Sequence, residues 1–151
     1  MTSGPPASTE AGTISKAMAD PTPILVVAGV LVEGDKILIC QRERSDPYGL
    51  QWEFPGGKVR SEEGLQAALR RELTEELAIE ADVGEELFRL THQYPERYVE
   101  VVFLRVPSYR GEVTNLIFES IEWAARTRLP EYNFLEADRA LVARIARGEI
   151  V

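Results

Sequence analysis

Four consecutive residues, Phe54-Pro55-Gly56-Gly57, suit neither a helix interior nor a regular strand, so the chain has to break there. Proline brings no N–H to a ladder, and paired glycines let the backbone approach other atoms closely. Just beyond the break, Leu65, Ala68, Leu69, Leu73 and Leu77 recur at i, i+3/i+4 spacing, which predicts an amphipathic helix over Ser61–Leu77. Ser61 is its expected N-cap, with Glu62 and Glu63 in the first turn, where the helix dipole favours acids.

The flanking pattern is strand-like. Ile24 to Glu33 and Lys36 to Gln41 are apolar and β-branched, and Gly34-Asp35 between them predicts a tight hairpin. Residues 42–53 have no period and contain Pro47 and Gly49, which predicts an exposed loop. Leu87–Tyr94 and Tyr98–Val106 form a second hairpin about Pro95-Glu96-Arg97, and Leu116–Trp123 reads as one more strand. Asn133 with Glu136 three residues on resembles a capping box, opening a helix with Leu135, Leu141, Val142 and Ile145 inward and Gly148 as its C-cap. The order β-β-loop-helix-β-β-β-helix predicts an α/β (α+β) fold, helices on the faces of a mixed sheet.

At 151 residues the chain fits one domain. Residues 1–22, rich in Ser, Thr, Ala, Gly and Pro, read as a disordered leader before a domain over 23–151; Met18 offers an alternative start to Met1. With one cysteine, Cys40, no internal disulfide is available, and no apolar run reaches the length of a membrane span. The cytoplasm is the expected location, with no membrane partner. A net charge of −8 argues against a phosphate-tracking partner for nucleic-acid polymers. That charge is concentrated: residues 62–86 hold nine acids and two bases, a balance of −7, and the other 126 residues sum to −1.

Within this segment Glu72, Glu75 and Glu76 stand at i, i+3, i+4, three carboxylates on one side of one helix. Like charges so placed destabilise a helix by roughly 0.2–0.5 kcal/mol per pair. A divalent cation would turn the repulsion into coordination, and an all-oxygen set suits Mg²⁺ or Mn²⁺. By itself, a Glu-rich helix is more often a solvated surface.

The register changes that reading. Gly57, Glu63, Arg71, Glu72, Leu73, Glu75, Glu76 and Ile79 spell Gly-x5-Glu-x7-Arg-Glu-Leu-x-Glu-Glu-x-Ala-Ile, which resembles the Nudix box of hydrolases acting on nucleoside diphosphates linked to another moiety. The one departure is Ala78, where the family usually has the Gly that ends the helix. The resemblance runs over roughly 24–147, and Trp52-Glu53-Phe54-Pro55-Gly56-Gly57-Lys58 and Leu135-Glu136-Ala137-Asp138 are similar to the MutT-like branch. It implies an α/β/α sandwich around a mixed sheet, and Mg²⁺-dependent hydrolysis of (deoxy)nucleoside triphosphates to the monophosphate and pyrophosphate. The implied role is nucleotide-pool sanitation, with a substrate of the 8-oxo-dGTP or CTP/dCTP type. The alternatives are another diphosphate such as ADP-ribose or a nucleotide sugar, or a catalytically silent nucleotide-sensing module. The implied partner is a small nucleotide, and the protein a monomer or homodimer.

The resemblance also implies roles. Glu72, Glu75 and Glu76 hold the metal, joined by the Gly56 carbonyl, and one of these carboxylates helps deprotonate the attacking water. Arg71 orients the glutamates, and Glu63 braces the loop–helix junction. Lys58 either meets a phosphate or is a solvated charge. Where many relatives carry another acid, Asn115-Leu116-Ile117-Phe118 is apolar and Glu119 is the nearest candidate, either a metal ligand or an outward strand residue. Arg42, Glu53, Phe54, Tyr94 and Asp138 are the candidate substrate-binding residues; Phe54 is equally a core residue, Tyr94 a hairpin-end aromatic and Asp138 a helix-start acid. An ionised Asp138 accepts only, and so prefers a donor edge such as guanine N1–H and N2–H₂ or a cytosine amine. His92 and Cys40 are read as structural.

Overall fold

The computed structural model describes residues 22–151, so the leader expected over 1–22 lies, but for Thr22, outside the described residues. The chain runs β1 (Ile24–Glu33), β2 (Lys36–Gln41), β3 (Trp52–Glu53), β4 (Gly56–Lys58), α1 (Leu65–Leu77), β5 (Glu80–Asp82) and β6 (Glu86–Gln93). It continues with β7 (Tyr98–Val106), β8 (Ser108–Arg110), β9 (Ser120–Ala125), 3₁₀ turns at Arg126–Glu131 and Glu136–Asp138, and α2 (Arg139–Ala146).

β1 organises the sheet. It lies parallel to β7 from Ile24↔Val99 to Leu31↔Val106 and antiparallel to β4 through Val26–Ala28. At its far end it turns into β2, with Glu33 opposite Lys36 as the Gly-Asp hairpin requires. β7 carries β6 on its outer edge, and β2 carries β9 and β3. The side-chain period of two sends alternate residues to two separate cores. Val27 and Leu31 face Ala68, Leu69, Leu73 and Leu77 of α1. Ala28 and Val30 face Phe54, Phe103 and Phe134 with Leu141, Val142 and Ile145 of α2. This is the expected α/β/α sandwich; each buried leucine contributes about 1.5–3 kcal/mol. Among the described residues, no helix is long and apolar enough to cross a membrane.

Four expectations are corrected. Helix α1 starts at Leu65 with Gly64 at the N-cap, not at Ser61. Glu62 stands at φ 65°, and the Glu63 carboxylate accepts hydrogen bonds from the Arg60 N–H and from Arg71, so the segment is drawn into a turn against the helix side. Strand β9 starts at Ser120 rather than Leu116, because its partner β2 ends at Gln41, opposite Ser120. Asn133 and Glu136 form no capping box: Asn133 gives its carbonyl to the Trp52 N–H, and Glu136 meets His92. Trp52 and Glu53 leave the expected loop to pair with Gln41 and Cys40. The short pair β5–β8 has no counterpart in the sequence reading. Gly148, at φ 75°, follows α2 and donates its N–H to the Ile145 carbonyl, as a C-terminal cap should.

Candidate active site

The two glycines of the breaker sequence place the site. A Cβ on Gly56 would lie 2.0 Å from the Val27 carbonyl oxygen, and one on Gly57 would lie 2.5 Å from the Glu72 carboxyl carbon. Only glycine allows β4 to sit this close to β1 on one side and to α1 on the other. The break therefore delivers the start of β4 directly to the acidic face of α1.

On that face Glu72 and Glu76 come together. Glu76 is 8% exposed, and the Gly56 N–H donates to its Oε1 at 3.2 Å. Burial first, then the neighbouring Glu72 carboxylate, pushes the Glu76 pKa well up. Glu75 stands at the solvent edge with 52% of its side chain exposed. Arg71 joins the group: its guanidinium reaches Glu63 through Nε and Nη2 at 2.9 Å each, Glu72 through Nη1 at 2.9 Å and Glu75 at 3.5 Å. Its Nη2 also donates to the Lys58 carbonyl at 3.1 Å. Arg71 raises no metal question; it fixes where the acids point. The bond from Arg71 pulls the Glu63 pKa down to about 2, helped by the Arg60 N–H.

A cleft of about 230 Å³ leads from this face into the sheet. Gly56, Gly57, Lys58 and Glu76 line one end, and Arg42, Glu53, Phe54, Tyr94 and Asp138 line the other. Arg42 donates to Glu53 Oε1 at 2.9 Å and to the Pro47 carbonyl at 2.9 Å. Phe54 is both core and wall, stacked on Phe134 with centroids 5.4 Å apart. The Tyr94 hydroxyl accepts from the Ala137 N–H at 3.1 Å, which fixes its ring at the cleft. Asp138 is 5% exposed, and burial followed by the Glu53 charge raises its pKa well above the ordinary value, with the Phe54 N–H opposing. The shift favours the protonated form, in which the carboxyl offers a donor as well as an acceptor, where an ionised Asp accepts only.

The chain matches the NUDIX domain over residues 23–145. It belongs to the Nudix family. The CTP pyrophosphohydrolase of Escherichia coli K12 is 37% identical over 120 residues, 79% of this chain and 88% of that protein. The 8-oxo-dGTP diphosphatase of Proteus vulgaris is 34% identical over 98 residues, 64% and 88% of the two chains. In fold, the MutT NUDIX hydrolase of Burkholderia pseudomallei superposes with a TM-score of 0.74 at 24% identity, covering 82% of this chain and 98% of the other. This Nudix chain is accordingly a hydrolase.

The donor set of this Nudix site fits an open metal site. Among the described residues no three His, Cys, Asp or Glu side chains close around one point. Magnesium does not require such a cage: it is commonly held by one or two carboxylates and takes its remaining oxygens from water and substrate phosphates. The Glu72–Glu76 pair, in which burial and Glu72 disfavour the charge on Glu76 until a cation offsets it, matches that need.

Glu119 is not brought to the acidic face. Its carboxylate takes Arg44 Nη2 at 2.7 Å and the Arg44 N–H at 3.2 Å, and it lies outside the cleft. Sequence reasoning missed Arg97 and Asp46, which also line the cleft. Arg97 sits over the Tyr94 ring, 5.6 Å from its centroid, with a buried Nε that has no partner. Its place in the Pro95-Glu96-Arg97 turn beside Tyr94 was the available signal.

Proposed function

We propose that this protein is a divalent-metal-dependent pyrophosphohydrolase of nucleoside or deoxynucleoside triphosphates, releasing the monophosphate and pyrophosphate for nucleotide-pool sanitation. The observation that carries it is one cleft lined both by the buried Glu76, beside Glu72, and by Phe54, Tyr94 and the buried Asp138. The relatives named for CTP and 8-oxo-dGTP support a substrate of either type.

Glu72 and Glu76 would hold Mg²⁺, or Mn²⁺ in its place, with Glu75 at the rim and the Gly56 backbone beside them. The metal supplies charge neutralisation of the polyphosphate and acidifies water. Arg71, anchored on Glu63, holds the Glu72 carboxylate against Gly57 while reaching Glu75. Glu76 is held by the Gly56 N–H, and one of the three carboxylates would help deprotonate the attacking water. Lys58 borders the same end with its side chain exposed, in reach of a phosphate. At the other end Phe54 and Tyr94 offer ring surface to a base, and Asp138 its donor and acceptor, with Arg42 and Glu53 as a bracing ion pair.

The domain over 23–151 acts in the cytoplasm on free nucleotides, not polymers, as monomer or homodimer. The test is pyrophosphate release from the eight standard nucleotides, 8-oxo-dGTP and 5-methyl-dCTP with Mg²⁺, reading kcat/KM for each. Turnover restricted to ADP-ribose or nucleotide sugars refutes the triphosphate reading, and no turnover on any of them returns the protein to a sensing module.

A further inference from the structure

Among the described residues the large apolar side chains left exposed are Leu50, Leu116 and Ile117, and of these Ile117 lines the cleft. They lie on two loops, 42–51 and 111–119, that meet at the end of β2. The Leu50 N–H donates to the Arg42 carbonyl, the Glu119 N–H to the Gln41 carbonyl, and Arg44 closes the junction on Glu119. The second loop starts from the other side: its Leu116 N–H donates to the Glu76 carbonyl at 3.1 Å. It therefore runs from the last turn of α1 to the end of β2, and Ile117 and Phe118, between these anchors, line the cleft. An exposed apolar rim continuous with a cleft is covered by whatever fills that cleft.

We propose that Ile117 and Phe118 form the wall passed by the sugar of a bound nucleotide, and that this wall selects 2′-deoxyribonucleotides over ribonucleotides. The proposal rests on the triphosphate reading, because phosphates at Glu76 and Lys58 and a base at Tyr94 and Asp138 leave the sugar between them. A 2′-hydroxyl turned against isoleucine and phenylalanine loses water and gains no partner. Arg42 offers little to replace it, as its Nη1 is engaged by Glu53 and its Nε by the Pro47 carbonyl, and Arg97 stands over the Tyr94 ring, where the base is placed. Asp46 also borders the cleft, but its carboxylate is exposed and solvated. A hydroxyl stripped of its partner costs about 1–3 kcal/mol, so the deoxy form should be favoured about fivefold to a hundredfold in kcat/KM.

The experiment measures kcat/KM for matched pairs, dCTP against CTP and dGTP against GTP, in the wild type and in Ile117→Ser. Ile117 is half-exposed, so the variant keeps its fold, which an unchanged Tm verifies. The expected result is a deoxy preference of about fivefold or more in the wild type. In Ile117→Ser this deoxy-to-ribo ratio falls several-fold, whatever the change in the absolute rates, because the serine hydroxyl gives the 2′-hydroxyl a partner. Equal rates on the matched pairs, an unchanged ratio in the variant, or a ribose preference that Asp46→Asn removes overturns the inference while leaving the triphosphate reading intact. No turnover on any nucleotide removes both.

Discussion

Replacing Gly57 by alanine adds one methyl group at the point where β4 touches the acidic helix. The new Cβ would stand 2.5 Å from the Glu72 carboxyl carbon and 2.6 Å from each of its oxygens. Ordinary contact begins at 3.4 Å, so the carboxylate has to retreat by about 0.9 Å. The displaced group is the end of a side chain with rotatable bonds, so the fold gives way cheaply and the loss of stability stays within about 1 kcal/mol. The chemistry does not give way cheaply. A misplacement of about 1 Å in a reacting constellation costs on the order of 100-fold, or about 2.7 kcal/mol in the barrier. Arg71, bonded to Glu72 at 2.9 Å and anchored on Glu63, resists any other placement. The assay is kcat for pyrophosphate release at saturating Mg²⁺ beside thermal unfolding of the same preparation. A Gly57→Ala enzyme with wild-type kcat refutes the view that close approach of β4 positions Glu72.

Glu76→Gln removes the buried carboxylate that opposes Glu72, so it should unfold no earlier than wild type without metal. It should lose activity and also the rise in Tm that Mg²⁺ gives the wild type; near-normal turnover at saturating Mg²⁺ sinks the metal assignment. Ala78 ends α1 at φ 61°, a left-handed conformation that costs an alanine about 1–2 kcal/mol. Ala78→Gly should therefore raise Tm by about 2–8 °C with activity unchanged, measured by calorimetry. Glu63 has a folded pKa of about 2, below its ordinary 4.5. Its stabilisation is full above about pH 4.5 and is lost as pH falls towards 2, so Glu63→Gln should lower stability at pH 7 and flatten the acid slope in that window. Glu119→Gln, which keeps a hydrogen bond to Arg44, should retain activity within about threefold; a loss of 100-fold or more would make Glu119 a metal ligand.

The sequence by itself determined the elements whose information is local. The leucine stripe of α1, the Gly34-Asp35 hairpin and the turn at 95–97 each depend on residues within a few positions of one another, and each is found where the pattern puts it. The register of Glu72, Glu75 and Glu76 was legible for the same reason, since helical spacing alone sets which carboxylates share a face. Tertiary structure decided what depends on partners far along the chain. Glu119 is drawn to Arg44, 75 positions away, and the start of α1 is set by the hold of Arg71 on Glu63. Strand β9 begins only where β2 offers it a ladder, and the Asp138 pKa rises because distant segments exclude water from it. Burial and pairing across the sheet are properties of the folded surface, and a linear pattern specifies neither until the two cores have closed.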